Sequence, residues 1–504
     1  MISLTRRKFV GGLAASPLLL WAPRGAFAVE PLVRYDAASP QGIAMLQVFA
    51  QAVTAMKGRA EDDPSSWLWQ WYTHFVDGAT TKADEINRIF GTEVTTRSTL
   101  ANEVWNTCQS HAGQNANHFL PWHRMFVYYF ERIVRQVAQR PDFTLPYWDY
   151  TSYDTSKRGI LPAQFRMSDD PVFGSLYRPD RSTLANTGQP IHKNQAGDAM
   201  DISAAMGKPN YSSVDAVQGF CRAIDSGIHS KIHVLVGNSK NMGAVPYAGR
   251  DPLFWVHHSS IDRMWASWNR NGGANPSTAS WASKAFAFAN EQGVRTSGRL
   301  KDYFDTLPLG YTYDCFIAPD GTELTATTAA STTAAKTMMS PASIGSHSER
   351  MALSDRAAEL SDRAVSVSLL PAVGTADTQV LGLDPAVGGK RLYLVLKNLH
   401  VWKQPEVLYH VYLRPGRGAG APAASGYVGT INFFDAEFHD HGHGAMGDAL
   451  GENFYSFDVT DVLKKLARSG TQDARKSLQV IFVPGGKPTA GAEPLVATIE
   501  LRRQ

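Results

Sequence analysis

The 504-residue sequence predicts two domains of different class, a mainly α-helical domain followed by an all-β domain. Apolar residues recur at helical spacing in several segments as far as Trp281. Residues 322–347 are rich in Thr, Ala and Ser and lack any pattern that would form a core. From about Leu369 apolar and polar residues alternate with a period of two, which is typical of strands in a β-sandwich. We therefore expect a helical domain over 29–320, a linker over 321–365 and a C-terminal β-sandwich domain over 366–504.

The first 28 residues are expected to be an export signal. Arg6 and Arg7 precede a mild apolar run over 11–22, and the small-residue motif Ala26-Phe27-Ala28 follows it. This arrangement is typical of a twin-arginine signal peptide that is cleaved after Ala28, so we expect a periplasmic or secreted protein. No other apolar run reaches the ~18 residues that a membrane-spanning helix needs. The net charge of +3 does not favour nucleic acid or a polybasic membrane anchor as a partner.

A first group of candidate metal ligands comes from two predicted helices and the loop between them. His74 ends a short aromatic helix, and His123 lies in the first turn of a helix that Pro121 opens. The polar loop between these helices carries His111 and His118. A buried histidine taken alone is more often structural than ligating, so the grouping carries the metal hypothesis.

A second group of histidines lies on two later helices. His229 and His233 are four residues apart, which places both imidazoles on one helix face, where they can bind one metal. A later helix, opened by Asp251 and Pro252, carries the pair His257 and His258. Asp262 shares a face with His258, whereas His257 points about 100° away. This is the arrangement expected of a ligating histidine that a carboxylate orients.

The types of candidate ligand favour copper over a hydrolytic metal. Dinuclear hydrolases bridge their metals with carboxylates, which suit hard divalent cations. In this sequence no Asp, Glu or Cys lies in register to complete either histidine group. An all-imidazole set suits copper and its redox chemistry, although zinc also binds imidazole. A zinc hydrolase is therefore the less favoured alternative.

Three motifs together resemble the tyrosinase family of dinuclear copper proteins, which also includes catechol oxidases and haemocyanins. They are Phe119-Leu-Pro-Trp-His-Arg124 with Glu131 behind it, His229-x3-His233, and Asp251-Pro-x-Phe-x3-His258-x3-Asp262. The resemblance implies a four-helix-bundle core with two copper ions, the first held by His74, His111 and His123 and the second by His229, His233 and His258. It also implies that His257, Asp262 and Glu131 support the ligands, and that Arg34 stacks with Tyr311 and Tyr313.

The sequence departs from the family pattern at the first copper site. The family usually places about eight residues between the second and third ligands, whereas eleven separate His111 from His123 and four separate His118 from it. We favour His111, because a loop absorbs three additional residues easily, and keep His118 as the alternative. Cys108 lies just before His111 and is either crosslinked to it by a thioether, as in some family members, or a buried thiol.

The resemblance implies copper-dependent oxidation of a small phenolic substrate by dioxygen to an o-quinone. The enzyme would be an o-diphenol oxidase, with monophenol hydroxylation (a monooxygenase activity) as a further option. Ser230 stands where monophenol-hydroxylating relatives often have Asn, and Asp225 is the nearest upstream carboxylate. This favours oxidation of o-diphenols, or alternatively of o-aminophenols in secondary metabolism. Val245 is expected at the entrance to the site. A haemocyanin-like oxygen carrier is less favoured, because the chain has one such unit behind an export signal.

The C-terminal domain resembles the β-sandwich that shields the dicopper site in latent relatives. An aromatic side chain from it would then plug the site, with Phe454 and Tyr455 as candidates, and cleavage in the linker would activate the enzyme. The cluster His439-Asp-His-Gly-His443 could load copper or bind a third metal, with a solvated loop as the simpler interpretation. A copper chaperone is a further candidate partner.

Overall fold

The structure is a computed structural model, and it describes residues 30–109, 117–325, 348–372, 390–416, 422–437, 454–469 and 478–504. The predicted signal peptide, His111 and the cluster over 439–443 lie outside these residues. In the described part, the first domain is mainly helical, as predicted. Its helices are α1 (Pro40–Lys57), α2 (Trp67–His74), α3 (Lys82–Phe90), α4 (Thr96–Val104), α5 (Phe119–Ala138), α6 (Thr183–Asn186), α7 (Ser203–Met206), α8 (Phe220–Ala223), the π-helix Ile224–His229, α9 (Ser230–Val236), α10 (Val245–Ala248), α11 (Pro252–Arg270) and α12 (Ala279–Ala282).

The centre of this domain is α11, which is buried on nearly all sides. Its start follows from the sequence, because the Asp251 side chain accepts a hydrogen bond from the Leu253 N–H and Pro252 occupies the first turn. α5 packs against α11, and the rings of Phe130 and Trp255 stack with centroids 3.5 Å apart. Helices α2, α5, α9 and α11, together with the π-helix, carry the described candidate ligands. Since α11 is buried on nearly all sides, its buried polar residues must find partners on the helices and strands packed around it, and α11 therefore fixes the positions of its neighbours.

The N-terminal strand closes the helical domain by a parallel pairing. The strands of this domain are β1 (Leu32–Arg34), β2 (Ala285–Ala289), β3 (Arg295–Arg299), β4 (Tyr311–Tyr313), β5 (Cys315–Ile317) and β6 (Glu323–Thr325). β1 pairs with β4, and the Arg34 guanidinium lies 3.8 Å from the centroid of the Tyr311 ring. Arg34 is fully buried and forms ion pairs with Glu131 at 2.8 Å and Asp262 at 3.0 Å. The predicted stacking of Arg34 with the tyrosine pair is thus present in the structure.

The second domain is a single curled antiparallel sheet. Its strands are β7 (Glu349–Ser354), β8 (Ala358–Glu359), β9 (Val365–Pro371), β10 (Leu392–His400), β11 (Tyr409–Pro415), β12 (Tyr427–Ile431), β13 (Phe454–Asp458), β14 (Leu478–Pro484) and β15 (Leu495–Arg503), and one helix, α13 (Thr460–Ser469), lies among them. The order is β12-β11-β14-β9-β7-β15-β10-β13, with β8 paired to β15. The two end strands β12 and β13 contact each other, so the layers around the core are two halves of one sheet.

The all-β class of the second domain is confirmed, but its start differs from the predicted residue 366. β7 and β8 already pair with β15, so the sheet begins at Glu349 and the linker is shorter than 321–365. The sequence hides this boundary because Glu349–Ser354 is short and directly follows the Thr/Ala/Ser-rich stretch. Among the described residues, no helix is long and apolar enough to cross a membrane.

Candidate dinuclear metal site

His74, Cys108 and His123 form the first group of potential ligands. All three are buried, and their ligand atoms lie within 4.8 Å of one another. His74 is the last residue of α2, and His123 lies in the first turns of α5 with its Nδ1 2.9 Å from the Phe119 carbonyl oxygen. Cys108 is a buried thiol whose sulfur lies 3.7 Å from Nε2 of His123, and its predicted thioether to His111 involves a residue outside the described part of the chain and stays a prediction.

The alternative ligand His118 lies in a different environment. Its ring packs against Trp281 and Phe286, with centroids 5.9 and 5.5 Å away. Burial lowers the pKa of His118 to about 4. The site around His74 and His123 therefore does not include His118 in this structure, and the choice of His111 stays a prediction.

His229 and His233 form the core of the second group. The helix that carries them is interrupted at Gly227, whose ψ of −110° is not helical, and a π-helical turn ends at His229. Such turns are frequent at functional sites. Nδ1 of His229 lies 3.1 Å from the Asp225 carbonyl oxygen, and Nδ1 of His233 lies 2.7 Å from that of Met242. The two Nε2 atoms then face each other at 3.1 Å.

This facing pair of nitrogens indicates a cation site. A carbonyl oxygen only accepts, so each Nδ1 must carry the hydrogen and each Nε2 presents a lone pair. Burial lowers the pKa of His229 to about 3 and that of His233 well below its ordinary value, so both rings are neutral. Two lone pairs at 3.1 Å repel each other unless a positive charge is shared between them. A metal ion bound by both imidazoles removes that repulsion.

The third member of the second group is either His257 or His258. The ligand nitrogens of His229, His233 and His257 lie within 4.8 Å of one another. His258, however, has the arrangement that a ligand normally has: its Nδ1 lies 2.9 Å from the Phe254 carbonyl oxygen, and its buried Nε2 has no partner among the described residues. Both nitrogens of His257 lack such a partner, so nothing fixes its ring for binding. The hydrogen bonding therefore favours His258, whose ring also stacks on His123 at 4.6 Å.

Asp262 and Glu131 support the site differently from the prediction. The group that orients His258 is the Phe254 carbonyl, whereas Asp262 binds Arg34, Arg124, Tyr311 and Tyr313. Burial alone would raise the pKa of Asp262, but the charges of Arg124 and Arg34 hold this pKa below its ordinary value. Glu131 likewise binds Arg34 and the Leu145 N–H. Arg34 and Arg124 thus bind the Asp262 carboxylate, which helical spacing had assigned to His258. This network of ion pairs joins α5, α11 and β1.

Phe434 from the second domain covers the second histidine group. Its ring stacks on His233 with centroids 4.3 Å apart and planes inclined by 11°, and it meets His229 edge-on at 5.8 Å. Phe75, Val234, Val245 and Leu408 enclose the same ring. Val245 therefore packs against the covering ring, and its predicted place at the entrance stays a prediction.

The two predicted plugs, Phe454 and Tyr455, are not over the histidines, so this prediction was wrong. Phe454 packs with Ala216 and Val217 at the edge of the interface, and its carbonyl accepts a hydrogen bond from Gln218. The Tyr455 hydroxyl donates to the Ser226 carbonyl at 2.9 Å. Both residues fasten the two domains together. The sequence offered one signal for Phe434, because it is the second of two consecutive phenylalanines and directly follows the alternating apolar segment 427–433.

A carboxyl pair joins the domains beside His229. Asp225 is buried and so is the Oδ1 atom of Asp435, and Oδ1 of Asp225 lies 3.3 Å from Nδ1 of His229. Burial raises the pKa of Asp225 to about 7, and burial together with the charge of Asp225 raises that of Asp435. The Ser230 hydroxyl donates to the Asp225 carbonyl at 2.7 Å and lies 3.4 Å from Asp435. At neutral pH and below, the two carboxyl groups therefore hold at least one proton between them.

Fold and site together define a class: a dinuclear metal protein in which buried, neutral imidazoles on a helical scaffold supply most of the ligands. Residues 64–196 and 173–271 match the family model described as the common central domain of tyrosinase. Residues 341–504 match a domain of unknown function, DUF7868. The chain therefore contains a tyrosinase-family domain, which confirms the resemblance inferred from its motifs.

The chain is also similar to curated relatives in sequence and to solved structures in fold. The chain is 26% identical over 497 residues to tyrosinase HcTyr1 of Hahella sp. (strain CCB-MM4), which covers 91% of this chain and 97% of that protein. It is also 26% identical over 298 residues to the chloroplastic polyphenol oxidase II of Ipomoea batatas, covering 53% and 47%. The chain thus spans about half the length of that plant relative. Latent apple tyrosinase has a similar fold over both domains, with a TM-score of 0.58, 20% identity and coverage of 94% and 97%. A latent aurone synthase structure matches with a TM-score of 0.58, 18% identity and coverage of 95% and 90%.

Proposed function

We propose that this protein is a copper-dependent oxidase that converts o-diphenols to o-quinones with dioxygen, and that its C-terminal domain keeps it latent. The observation that carries the proposal is the pair of facing lone pairs on His229 and His233, covered by the Phe434 ring, in a chain with a tyrosinase-family domain. Oxygen carriage, the alternative from another class, is less favoured because the matched relatives are named as a tyrosinase and a polyphenol oxidase.

The residues fit two copper ions. His74, His111 and His123 would hold the first, and His229, His233 and His258 the second. Burial lowers the pKa of every described member of this set, so the imidazoles offer lone pairs without losing protons. The two metal ions would supply the exchange of electrons between the phenol and dioxygen, which no side chain of this chain can perform.

The covered site itself indicates the class of substrate. Phe434 shows that a six-membered aromatic ring fits flat on His233, in a pocket that Val245 and Phe75 complete. A phenol of one ring could take the same position once the C-terminal domain withdraws. The apolar walls then exclude water, and stacking on His233 orients the ring.

The surroundings of Ser230 favour o-diphenols over monophenols. Its single hydroxyl hydrogen is donated to the Asp225 carbonyl at 2.7 Å, so Ser230, unlike an amide side chain, has no further donor with which to hold a water molecule that could deprotonate a monophenol. An o-diphenol has two acidic hydroxyls and requires oxidation only. An o-aminophenol has the same ring and a neighbouring donor, and it is the second candidate substrate.

Oxygen uptake tests this proposal on the full chain loaded with copper. We expect slow uptake with catechol, a large increase after protease cleavage within residues 326–347, a comparable response with o-aminophenol and a smaller one with tyrosine. Zinc-loaded protein is the matched control, because zinc has no redox chemistry and should give no uptake. Dioxygen binding without turnover, both before and after cleavage, would contradict the oxidase proposal.

We further propose that residues 1–28 direct export by the twin-arginine route. We also propose that a copper chaperone delivers copper to the folded chain, before or after export. Support comes from Arg6 and Arg7 ahead of the apolar run and the Ala26-Phe27-Ala28 motif. Replacing both arginines by lysine should retain the protein in the cytoplasm with residue 1 intact. Unchanged export of that variant would contradict the proposed route.

A further inference from the structure

We propose that docking of the second domain holds a kink in the helix that carries His229. Asn432 and Tyr455 act as positioning residues, because they bind the carbonyl that this helix would otherwise use for itself, that of Ser226. The inference rests on the proposed function only for the view that docking means latency. It goes beyond the covering of the site by Phe434, because the docked domain then also acts on the scaffold of a metal ligand.

The helix turn before His229 lacks a hydrogen bond that an α-helix would have. In a regular helix the Ser230 N–H donates to the carbonyl four residues back, which is that of Ser226. In the structure this N–H donates to the carbonyls of Asp225 and Gly227 instead. The resulting turn is π-helical, and Gly227 within it has a ψ of −110°, which is not helical. A group outside the helix therefore competes for the Ser226 carbonyl.

Two donors from the second domain occupy this carbonyl. The Asn432 side-chain amide donates to the Ser226 oxygen at 3.0 Å. The Tyr455 hydroxyl lies 2.9 Å from the same oxygen, closer than the 3.1 Å to its alternative acceptor, the Asn432 carbonyl. A carbonyl oxygen has two lone pairs, so these two bonds use its full accepting capacity. All three residues are buried, and the docked domain therefore excludes the α-helical bond from the Ser230 N–H.

A second set of contacts fixes the same turn from the side. The Gln218 side-chain amide donates to the Ser226 hydroxyl at 2.9 Å and to the Phe454 carbonyl at 2.7 Å. The backbone N–H of Gln218 also donates to the Ser456 hydroxyl at 2.8 Å. These bonds tie the segment before the kink to β13. Undocking of the second domain breaks them together with the bonds to the Ser226 carbonyl.

Undocking removes both donors from the Ser226 carbonyl. The Ser230 N–H is then the backbone donor that can replace them, by closing a regular helical turn. When it does so, it leaves the Asp225 carbonyl, which also holds Nδ1 of His229 at 3.1 Å. The arrangement around a ligand of the second metal site therefore depends on docking. By reciprocity, a change in that arrangement acts back on docking.

Gly227→Ala tests the kink without touching the second domain. A Cβ built on Gly227 meets no heavy atom within 4 Å outside its own helix turn, so the substitution adds no clash. Alanine favours a regular helical turn over glycine, so G227A should raise the undocking equilibrium of the full chain about fivefold. Amide hydrogen exchange of the copper-loaded full chain measures undocking, because the Ser239 N–H donates to Glu406 of the second domain at 2.7 Å.

Two background variants show whether the kink depends on the Ser226 carbonyl. Tyr455→Phe removes a donor to it, and the matched control Ser456→Ala removes another bond of the same interface from the next residue of the strand. We expect G227A to act about fivefold in S456A, as in the wild type, and less than about twofold in Y455F. In Y455F the Ser230 N–H can already return to the freed lone pair. Cobalt(II) absorption, which reports the arrangement of the metal ligands, should shift in Y455F and not in S456A.

Three outcomes would overturn the inference. The first is unchanged exchange of the Ser239 amide in G227A. The second is an equal effect of G227A in the Y455F and S456A backgrounds, and the third is equal cobalt(II) spectra of Y455F and S456A. The spectra decide alone if G227A does not fold. Catechol oxidation that accompanies any of these results leaves the proposed function intact, whereas the expected results in a protein without oxidase activity reject the proposed function alone.

Discussion

Replacement of Phe434 by alanine should activate the full-length protein without proteolysis. The Phe434 ring is almost completely buried, with 2% of the residue exposed, and it occupies the space above His233. In a form with the C-terminal domain withdrawn, the same ring would be in water. Truncation therefore weakens the closed form and leaves the open form nearly unchanged.

The size of the effect follows from the burial of the ring. Truncating a buried phenylalanine costs about 3–5 kcal/mol, and about 3 kcal/mol is a reasonable lower figure for an interface that can relax. Since about 1.4 kcal/mol corresponds to a factor of ten, the ratio of closed to open forms should fall by roughly a hundredfold. The rate on catechol should rise by up to that factor, with the rate of the cleaved enzyme as its ceiling. The loop itself should stay folded, because the Gln404 side chain still donates to the carbonyls of Phe433 and Phe434.

The assay is oxygen uptake with catechol by copper-loaded full-length proteins, before and after cleavage within 326–347. Phe454→Ala is the matched control, because it removes the same side chain from the same interface, away from the histidines. We expect F434A to be active before cleavage, F454A to stay latent, and all cleaved proteins to have similar rates. The reasoning is refuted if uncleaved F434A is as inactive as the wild type while its cleaved form is active, or if F454A activates equally.

Three more predictions concern the ligands, the interface and the scaffold. By elemental analysis, His258→Ala should bind one copper ion per chain in place of two, whereas His257→Ala should still bind two. The reverse result would assign the ligand role to His257. Burial and the charge of Asp225 raise the pKa of Asp435 in the closed form. Docking is therefore strongest below the ordinary aspartate pKa of about 3.9 and weakens as pH rises through the raised value. Gel filtration of the cleaved protein should show the fragments separating more readily at higher pH, and D435N should reduce this dependence to the part that Asp225 contributes. Arg34→Met removes the buried cation that Glu131 and Asp262 share and leaves each carboxylate with one arginine, Arg135 and Arg124 respectively, so it should lower the free energy of unfolding by about 3 kcal/mol in a denaturant titration. The exposed Arg59→Met should change the free energy of unfolding by less than about 0.5 kcal/mol.

The parts of the site that depend on local spacing could be predicted from the sequence. The four-residue interval between His229 and His233 places their Nε2 atoms 3.1 Å apart. Pro252 and the capping Asp251 set the start of α11 and hence the position of His258. Spacing is informative here because helical geometry converts sequence separation directly into distance.

The contacts that join distant segments could not be predicted in the same way. Asp262 lies four residues from His258, and on an isolated helix it would be the natural partner of that histidine. In the folded chain, Arg34 and Arg124 reach it from 228 and 138 residues away and take its oxygens. A buried charge binds the strongest available opposite charge, and spacing within one helix does not reveal which charges the fold brings near it.

The position of the covering ring follows a related rule about sheets. Phe454 and Tyr455 lie in β13, where they pair with Lys397 and Leu396 of β10, so their backbones are fixed in the sheet. Their side chains alternate between the two faces of the sheet and extend from the sheet by no more than their own length. A ring that enters a pocket in another domain must come from a turn that projects past the end of a strand. Phe434 is the first residue of such a turn, Phe434–Ala436, which begins shortly after the end of β12. Asn432, between the strand and the turn, donates a side-chain hydrogen bond to the Ser226 carbonyl of the first domain. In a domain that shields a site by its sheet, aromatic residues in strand-end turns are therefore better candidates for the covering ring than those within strands.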